Sequence, residues 1–559
     1  MHGAVTTEIV RNALGTVAEE MGIAVLRGAH STAIKEGTDA SAGILDAQGR
    51  LVALSDGTLL THGASLRSCF PSIAARFPIE TMRDGDVYAM NDPYAGGIHS
   101  NDVAVFRPLL HNGAVRFVTA SLVHVADLGG MSPGGLPTAA ADVYQEGLLL
   151  PPVRLVTQGV VNEQLAEIIR ANSRTPDRVW GDVQALVAAT VSGGRRLQAL
   201  LDRHGAEPLA RIVDSLLDYT ERRTRASIAA LPDGCWRAEY PVDDDGVTLG
   251  VPRTVRVCVT VRGDEMHFDF AGTDAQVPAP INAAQSQVLS AVVYASRCFV
   301  DPSIPLNDGA FRPLHISLPE GSLVNPRPPA AVSGRMMTVL AVIEAVLDAR
   351  SQIEGLRGTA PSAIHSTSIA SGQRPGGGFW LFMDNDFGGT GARQGLDGVD
   401  GAGPHILGGR PNVLPVESIE MEYPVRFEEY RLRRDSGGAG RWRGGMGLRR
   451  TVRVLGDAHF TVRADRVHNP PPGRQGGHSG TPGGWAVDAA TAEERRLRAK
   501  AGDVRLRAGQ TLTMLTSGGG GWGDPQQRDR AALEDDVREG RVSPLAASEA
   551  YGAPPNPEG

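Results

Sequence analysis

Glycine and proline interrupt this 559-residue chain so often, 69 and 37 times, that long uninterrupted helices or strands are the exception. They are dispersed as turn punctuation and not gathered into one disordered tract. A chain punctuated in this way folds as short helices and strands joined by ordered loops. Its length exceeds what one ordinary core accommodates, so two to four domains or subdomains are expected. The fold class read from the sequence is mixed α/β (α+β), with several subdomains and many loops. An N-terminal region is expected over 1–232, a middle α/β region over 233–370, and a Gly-rich, β-rich region over 371–559 that closes in short helices. Apolar residues at 41% supply ample cores, and aromatics at 5% leave aliphatic side chains to fill them.

Periodicity places the elements. Between Thr6 and Arg27, Ile9, Leu14, Val17 and Met21 recur at helical spacing. Residues 43–53 carry apolar positions on both sides of a polar turn, a hairpin signal. A second hairpin is expected from Val103–Leu110 and Val115–His124 around His111-Asn112-Gly113. Residues 160–230 form the longest helical stretch, ended by Pro232-Asp233-Gly234. Strands at 254–261 and 265–270 follow, and the Arg262-Gly263-Asp264 between them reads as a hairpin turn, not an adhesion motif. Helices are expected at 284–299 and 335–349, short strands at 447–455, 459–463 and 510–516, and closing helices near 530–539 and 544–551.

Composition excludes several partners. A net charge of -8, a pI near 6.0 and scattered arginines leave no nucleic-acid footprint. Cys69, Cys235, Cys258 and Cys298 form no C-x-x-C pair, so reduced, buried thiols are expected. Met1-His2-Gly3 opens neither a basic nor an apolar leader, and no window approaches the roughly 18 apolar residues of a membrane span. A soluble, cytoplasmic protein without membrane contact is therefore expected. The sequence has no G-x-x-x-x-G-K-[ST], and Ser517 to Pro525, glycine-rich but without lysine, reads as a tight turn rather than a phosphate cradle. No nucleophilic serine or cysteine with a paired histidine is visible, and no cysteine lies in a nucleophile motif.

The densest polar run in an apolar setting is Asn91-Asp92-Pro93-Tyr94-Ala95-Gly96-Gly97-Ile98-His99-Ser100-Asn101-Asp102. His99-x-x-Asp102 lets an imidazole and a carboxylate point at one ion from a turn, and His124 ends the partner strand. With a three-residue His111-Asn112-Gly113 loop, Asp102 faces Leu122 and His124 lies diagonally on the same face, about 7–8 Å away. A two-residue Asn112-Gly113 turn would place Asp102 and His124 on opposite faces. Zinc, manganese or ferrous iron accepts imidazole and carboxylate ligands.

In order, Ile34-Lys35-Glu36 with Asp39-Ala40-Ser41, Asn91 through Asp102, His124-Val125-Ala126-Asp127-Leu128-Gly129-Gly130, and Tyr144-Gln145-Glu146-Gly147-Leu148 with Pro151-Pro152 form a distinctive series. Gly389-x-Gly391-Ala392-Arg393, Asp435-Ser436-Gly437-Gly438-Ala439-Gly440 and Gly518 to Pro525 extend it over almost the whole chain. The series resembles the hydantoinase B / 5-oxoprolinase C-terminal family, whose relatives include the acetone carboxylase alpha chain and the B-type chain of caprolactamase. The resemblance implies one divalent transition metal (Zn, Mn or Fe) on Asp39, His99, Asp102 and His124, with Asp39 added by the motif alone. His62 sits where the family carries a histidine, and Asp127 and Glu146 are acidic residues of its motifs. Each of the three is a candidate for contacting substrate or orienting a ligand, or serves structure. Relatives often read His-His-Ala-Asp where this chain has His124-Val125-Ala126-Asp127, so the second histidine is missing.

The family works as two unlike polypeptides or halves. The resemblance thus implies an A-type ATPase partner that binds ATP and Mg, in an A2B2-type hetero-oligomer. The implied activity is ATP-dependent opening of a cyclic amide such as a hydantoin, 5-oxoproline or a lactam. Phosphorylating the resonance-stabilised carbonyl oxygen creates an imidate-like electrophile. The metal would then orient the ring or activate water, whose pKa such ions lower to about 7. Two alternatives stay open: an alpha-type subunit of an ATP-dependent ketone carboxylase, and a non-catalytic scaffold subunit.

Overall fold

The computed structural model describes residues 4–55, 60–364, 366–374, 376–403 and 413–554. Met1-His2-Gly3, read above for a leader, lie outside them. Two compact units emerge. The first runs to Cys235 and resumes over Cys258–Val339, and the second holds Trp236–Val257 and the described residues from Leu340 onward.

The first unit is built on a seven-stranded antiparallel sheet of order β2–β1–β5–β4–β3–β6–β7. Its strands are β1 (Ala40–Asp46), β2 (Leu51–Leu54), β3 (Val87–Met90), β4 (Asp102–His111), β5 (Ala114–His124), β6 (Val153–Thr157) and β7 (Val160–Val161). The helices expected over 6–27, 160–230, 284–299 and 335–349 are present as α1 (Ala4–Gly28), α4 (Glu163–Ala171), α5 (Pro176–His204), α6 (Ala206–Ile228), α7 (Gln285–Ser296) and α9 (Met336–Arg350), the last running on into the second unit. The single turn α2 (Thr32–Lys35), α3 (Leu60–Arg76) and the short α8 (Asp308–Phe311) are helices the periodicity did not mark.

The central strands are covered on both faces, which is why they read as apolar runs. Val103, Val105, Val123 and Val125 pack with Val25 of α1 and Val179, Val183 and Leu186 of α5. Their alternating neighbours Ala104, Phe106, Ala120 and Leu122 pack with Leu66, Phe70 and Ile73 of α3 and Val293 of α7. Each fully buried valine or leucine contributes roughly 1.5–3 kcal/mol. A one-residue slip would exchange the two sets and push Asp102 into the valine layer, so packing specifies the register strongly.

The β4–β5 turn differs from the three-residue loop expected above. His111 pairs with Ala114, and Asn112 and Gly113, with φ of 52° and 76°, form a two-residue turn with both central residues left-handed. Alone, that turn would set Asp102 opposite Val123. The pairing instead steps from Leu110↔Val115 to Leu109↔Phe117. Arg116 is left over as a bulge, and Asp102 falls directly opposite His124.

A second sheet has the order β11–β10–β9–β8, from β8 (Gly234–Val242), β9 (Arg253–Arg262), β10 (Glu265–Asp269) and β11 (Leu314–Ser317). Arg262 pairs with Glu265 around Gly263 and Asp264, so the Arg-Gly-Asp triplet does make a hairpin turn. One expectation is corrected here. Cys235 and Cys258 form a disulfide, Cys298 is exposed, and Cys69 alone is a buried thiol. Linear spacing hides this pair because the β8–β9 hairpin brings Cα atoms 23 residues apart to 6.4 Å. The cysteines therefore no longer argue for a reducing compartment.

The second unit carries the expected β-rich region. One sheet has the order β13–β12–β16–β19, from β12 (Ser366–Gln373), β13 (Phe379–Asp386), β16 (Ala458–Arg463) and β19 (Lys500–Leu506). The other has the order β14–β15–β20–β17–β18, from β14 (Val425–Leu432), β15 (Leu448–Val454), β17 (Gly484–Val487), β18 (Arg495–Leu497) and β20 (Thr511–Leu515). Phe382, Phe460, Trp485 and Met514 share one core. Three more helices, α10 (Val416–Glu422), α11 (Arg530–Arg538) and α12 (Pro544–Tyr551), belong to this unit.

The Gly518–Gly521 run is not the tight turn expected. Its four N–H groups donate to the carbonyls of Thr481, Gly445, Pro361 and His478, so the segment is threaded among other backbones and leaves none of these donors for a phosphate. A Cβ at any of the four would strike a carbonyl of a neighbouring segment. Among the described residues, no helix is long and apolar enough to cross a membrane.

Candidate metal centre

The polar run before β4 is consumed largely in building a loop. Asp92 accepts from Tyr94 N at 2.9 Å, and Gly96, at φ 102°, reverses the chain behind it. Asn91 donates to Leu148 O and accepts from Leu150 N, while Asn101 donates to Val125 O and Gly134 O. These buried amides satisfy loop backbone that no strand reaches. The loop thereby delivers His99 and Asp102 to the end of β4, opposite His124 on β5.

His99 Nε2 lies 3.1 Å from Asp102 Oδ2, and His124 Nδ1 lies 3.3 Å from Asp102 Oδ1. The two imidazole rings are 5.0 Å apart between centroids. One ligand atom from each of the three residues falls within 4.8 Å of the other two, and all three residues are buried. With ligand bonds of about 2.0–2.2 Å, tetrahedral or octahedral edges measure about 3.0–3.5 Å, so these separations fit one divalent ion. His99 Nε2 and Asp102 Oδ1 are buried without a hydrogen bond of good geometry, and so is Asp39 Oδ1.

Electrostatics favour the ligand forms. Burial, with the Arg335 charge, pushes the His99 imidazole down to about 3, which keeps it neutral. Burial would raise the Asp102 carboxyl, but the close imidazoles of His99 and His124 and the Arg335 guanidinium together hold it well below the usual carboxylate range.

Asp39 lies beside this trio and outside it. Its carbonyl accepts from His124 N at 3.4 Å, and its Oδ1 is 3.5 Å from His62 Nε2. His62, from α3, has its Nδ1 2.9 Å from Ser41 Oγ on β1. Burial lowers the His62 pKa against the pull of Asp39 and Asp102. Asp127 is taken up by the loop that follows, accepting from Gly129 N, Gly134 N and Arg174 N and pairing with Arg174 Nη1. Glu146 Oε1 accepts from Val332 N at 2.9 Å and Ser333 N at 2.7 Å, and burial raises its carboxyl to about 7.

The segment Glu146 holds carries a residue that sequence reasoning missed. Arg335 Nη2 donates to Asp102 Oδ2 at 3.0 Å, its Nε approaches Gln287 Oε1 at 3.4 Å, and Nη1 approaches Ser333 O at 3.4 Å. Arg335 is buried among the carboxylates of Asp102, Asp39 and Glu146. A signal was available: no other charged residue occurs between Arg327 and Glu344, and an isolated charge in an apolar run needs a partner.

Comparisons with known proteins show the family of the chain. The family model Hydantoinase B/oxoprolinase matches residues 3–525. The chain is 30% identical to the beta chain of caprolactamase from Pseudomonas jessenii, over 98% of this chain and 95% of that one. It is 29% identical to the B chain of a putative D-/L-hydantoinase of Pseudomonas sp. (strain NS671), over 98% and 94%. The crystal structure of the ATP-dependent caprolactamase from Pseudomonas jessenii superimposes with a TM-score of 0.93 at 28% identity, covering 100% of this chain and 97% of that chain. A nucleotide-free acetone carboxylase structure shares the fold, with a TM-score of 0.89 at 19% identity over 99% of this chain and 80% of that one. The chain belongs to the hydantoinase B/oxoprolinase family.

Proposed function

We propose that this chain is the B-type, metal-carrying subunit of an ATP-dependent cyclic amide hydrolase, opening a hydantoin, 5-oxoproline or lactam ring with an A-type ATPase partner. The observation that carries the reading is the convergence of buried ligand atoms of Asp102, His99 and His124, with Asp39 alongside, where His99 Nε2, Asp102 Oδ1 and Asp39 Oδ1 have no hydrogen-bond partner in the protein. A buried polar atom left unpaired costs about 1–3 kcal/mol, and several at one point suit an ion. Asp39, His99, Asp102 and His124 would hold Zn, Mn or Fe. An ion bound there would supply Lewis acidity beside the substrate carbonyl.

The surrounding residues have defined tasks. Arg335 anchors Asp102 Oδ2 and keeps that carboxylate ionised. Asn91 and Asn101 hold the loop that aims His99. His62, braced by Ser41, faces Asp39 and can exchange a proton with it at Nε2. ATP and Mg would sit on the partner in an A2B2-type assembly, a division with which the missing G-x-x-x-x-G-K-[ST] is consistent. Relatives named as the B chain of a hydantoinase and the beta chain of a caprolactamase, each one subunit of its enzyme, support that division.

The test is metal content per chain in the purified protein beside Asp102→Ala and His124→Ala, then turnover of a lactam and hydantoin panel with the A-type partner. Near-stoichiometric metal in the wild type, lost in both variants with the fold intact, and ring opening coupled to ATP use are expected. Absence of metal after incubation with zinc, manganese and iron would overturn the centre. Turnover that required bicarbonate would overturn the hydrolase.

A further inference from the structure

The second unassigned cluster of metal-binding groups lies on the solvent face of the small sheet, on β10 and β11. These strands run parallel, and His267 sits directly opposite His315. Met266 and Phe268, the alternate positions on β10, are buried, so Glu265 and His267 share the outer face with His315. The two imidazoles are stacked with centroids 4.5 Å apart and 20° between planes. Glu265 Oε2 lies 3.2 Å from His315 Nε2 and 4.0 Å from His267 Nε2. One atom from each residue thus falls within 4.8 Å of the other two.

We propose that Glu265, His267 and His315 form a solvent-facing site for a divalent transition ion of the zinc–copper class, independent of the buried centre. Two imidazoles and one carboxylate are the donors such ions prefer, with Cu2+ bound more tightly than Zn2+. The strand backbones fix the histidines in register, so little order is lost on binding. Glu265 is also oriented: its Oε1 receives Arg225 Nη1 at 3.0 Å, which leaves Oε2 facing the histidines. The Arg225 charge is shared with Asp264 at 3.1 Å and Glu221 at 2.9 Å, which softens its repulsion of a cation. Three protein ligands on an exposed face leave the remaining positions to water. Because β11 is a four-residue edge strand paired to β10 alone, an ion bridging His315 to Glu265 and His267 clips that edge shut.

The experiment is calorimetric titration of Zn2+ alone into the metal-stripped full chain, in an Asp102→Ala background, with and without His267→Ala or His315→Ala. Cu2+ loading, read by electron paramagnetic resonance, reports the nitrogen ligands. One saturable equivalent is expected in Asp102→Ala, with copper signals from two imidazoles and slower hydrogen exchange at 314–317. Loss of an outer partner of a metal ligand weakens binding about 10–100-fold, so each histidine substitution should weaken it at least that much. Both histidines are about half exposed, which keeps these variants folded. If Asp102→Ala fails to fold, the difference between wild type and His315→Ala reads the same quantity. Absence of saturable binding, or binding indifferent to both substitutions, overturns the site. Failure of the buried centre would appear separately, as equal metal in wild type and Asp102→Ala.

Discussion

Replacing Glu146 by glutamine tests whether this carboxyl is a tether held at the cost of its charge. Burial raises its pKa from 4.5 to about 7 in the folded chain. A raised carboxyl favours folding while protonated, so its contribution is complete below pH 4.5 and disappears as pH rises through about 7. Integrating proton binding between these two values gives about 2.5 kcal/mol lost between pH 5 and pH 8. Glu146→Gln keeps an oxygen to accept from Val332 N and Ser333 N but removes the titration. The variant should therefore gain about 2.5 kcal/mol on the wild type over that pH range. Urea denaturation of metal-free protein at pH 5, 6, 7 and 8, with amide exchange at 330–335, measures the difference. Glu146→Ala is the control: it orphans two buried N–H groups and should cost about 1–3 kcal/mol for each at every pH. Parallel stability curves for wild type and Glu146→Gln from pH 5 to 8 would refute the reasoning.

Three further outcomes are expected. Arg335→Met removes the partner of a buried carboxylate and should cost the metal-free protein about 3–5 kcal/mol, read from the first urea transition in EDTA; a loss below about 1 kcal/mol would show that Asp102 does not depend on it. Deleting Arg116 should leave metal content unchanged, because Leu109↔Phe117 and Leu110↔Val115 already pair around it; its exposed pair with Glu207 is worth at most about 1 kcal/mol, and loss of metal would mean that the bulge, not the core, sets the register. Gly96→Ala puts a Cβ against the Ser68 carbonyl at a φ of 102°, adding about 1–3 kcal/mol of backbone strain; thermal unfolding and metal content should both fall, and unchanged values would mean the loop can re-form without its left-handed residue.

Much of this molecule was legible in its residues because the signals are local. Helical spacing over Thr6–Arg27 anticipated α1 (Ala4–Gly28), and apolar runs on either side of His111-Asn112-Gly113 anticipated β4 and β5. The Asn91–Asp102 run marked the loop that aims His99, since buried amides at that density serve loop backbone or a site. What remained hidden depends on distance along the chain. The turn residues alone argue for one register, yet cores on both faces of β4 and β5 impose another, and the bulge at Arg116 absorbs the difference. No local pattern places Arg335 on Asp102, 233 residues earlier, nor ties Glu146 to the segment that carries it. The Cys235–Cys258 pair exists because a hairpin closes, and His267 meets His315 because two strands align in parallel. Spacing and periodicity thus marked most of the elements and the polar run from which the candidate site is built. Long-range packing, which weighs the burial of whole faces against single turns and charges, decided which side chains meet.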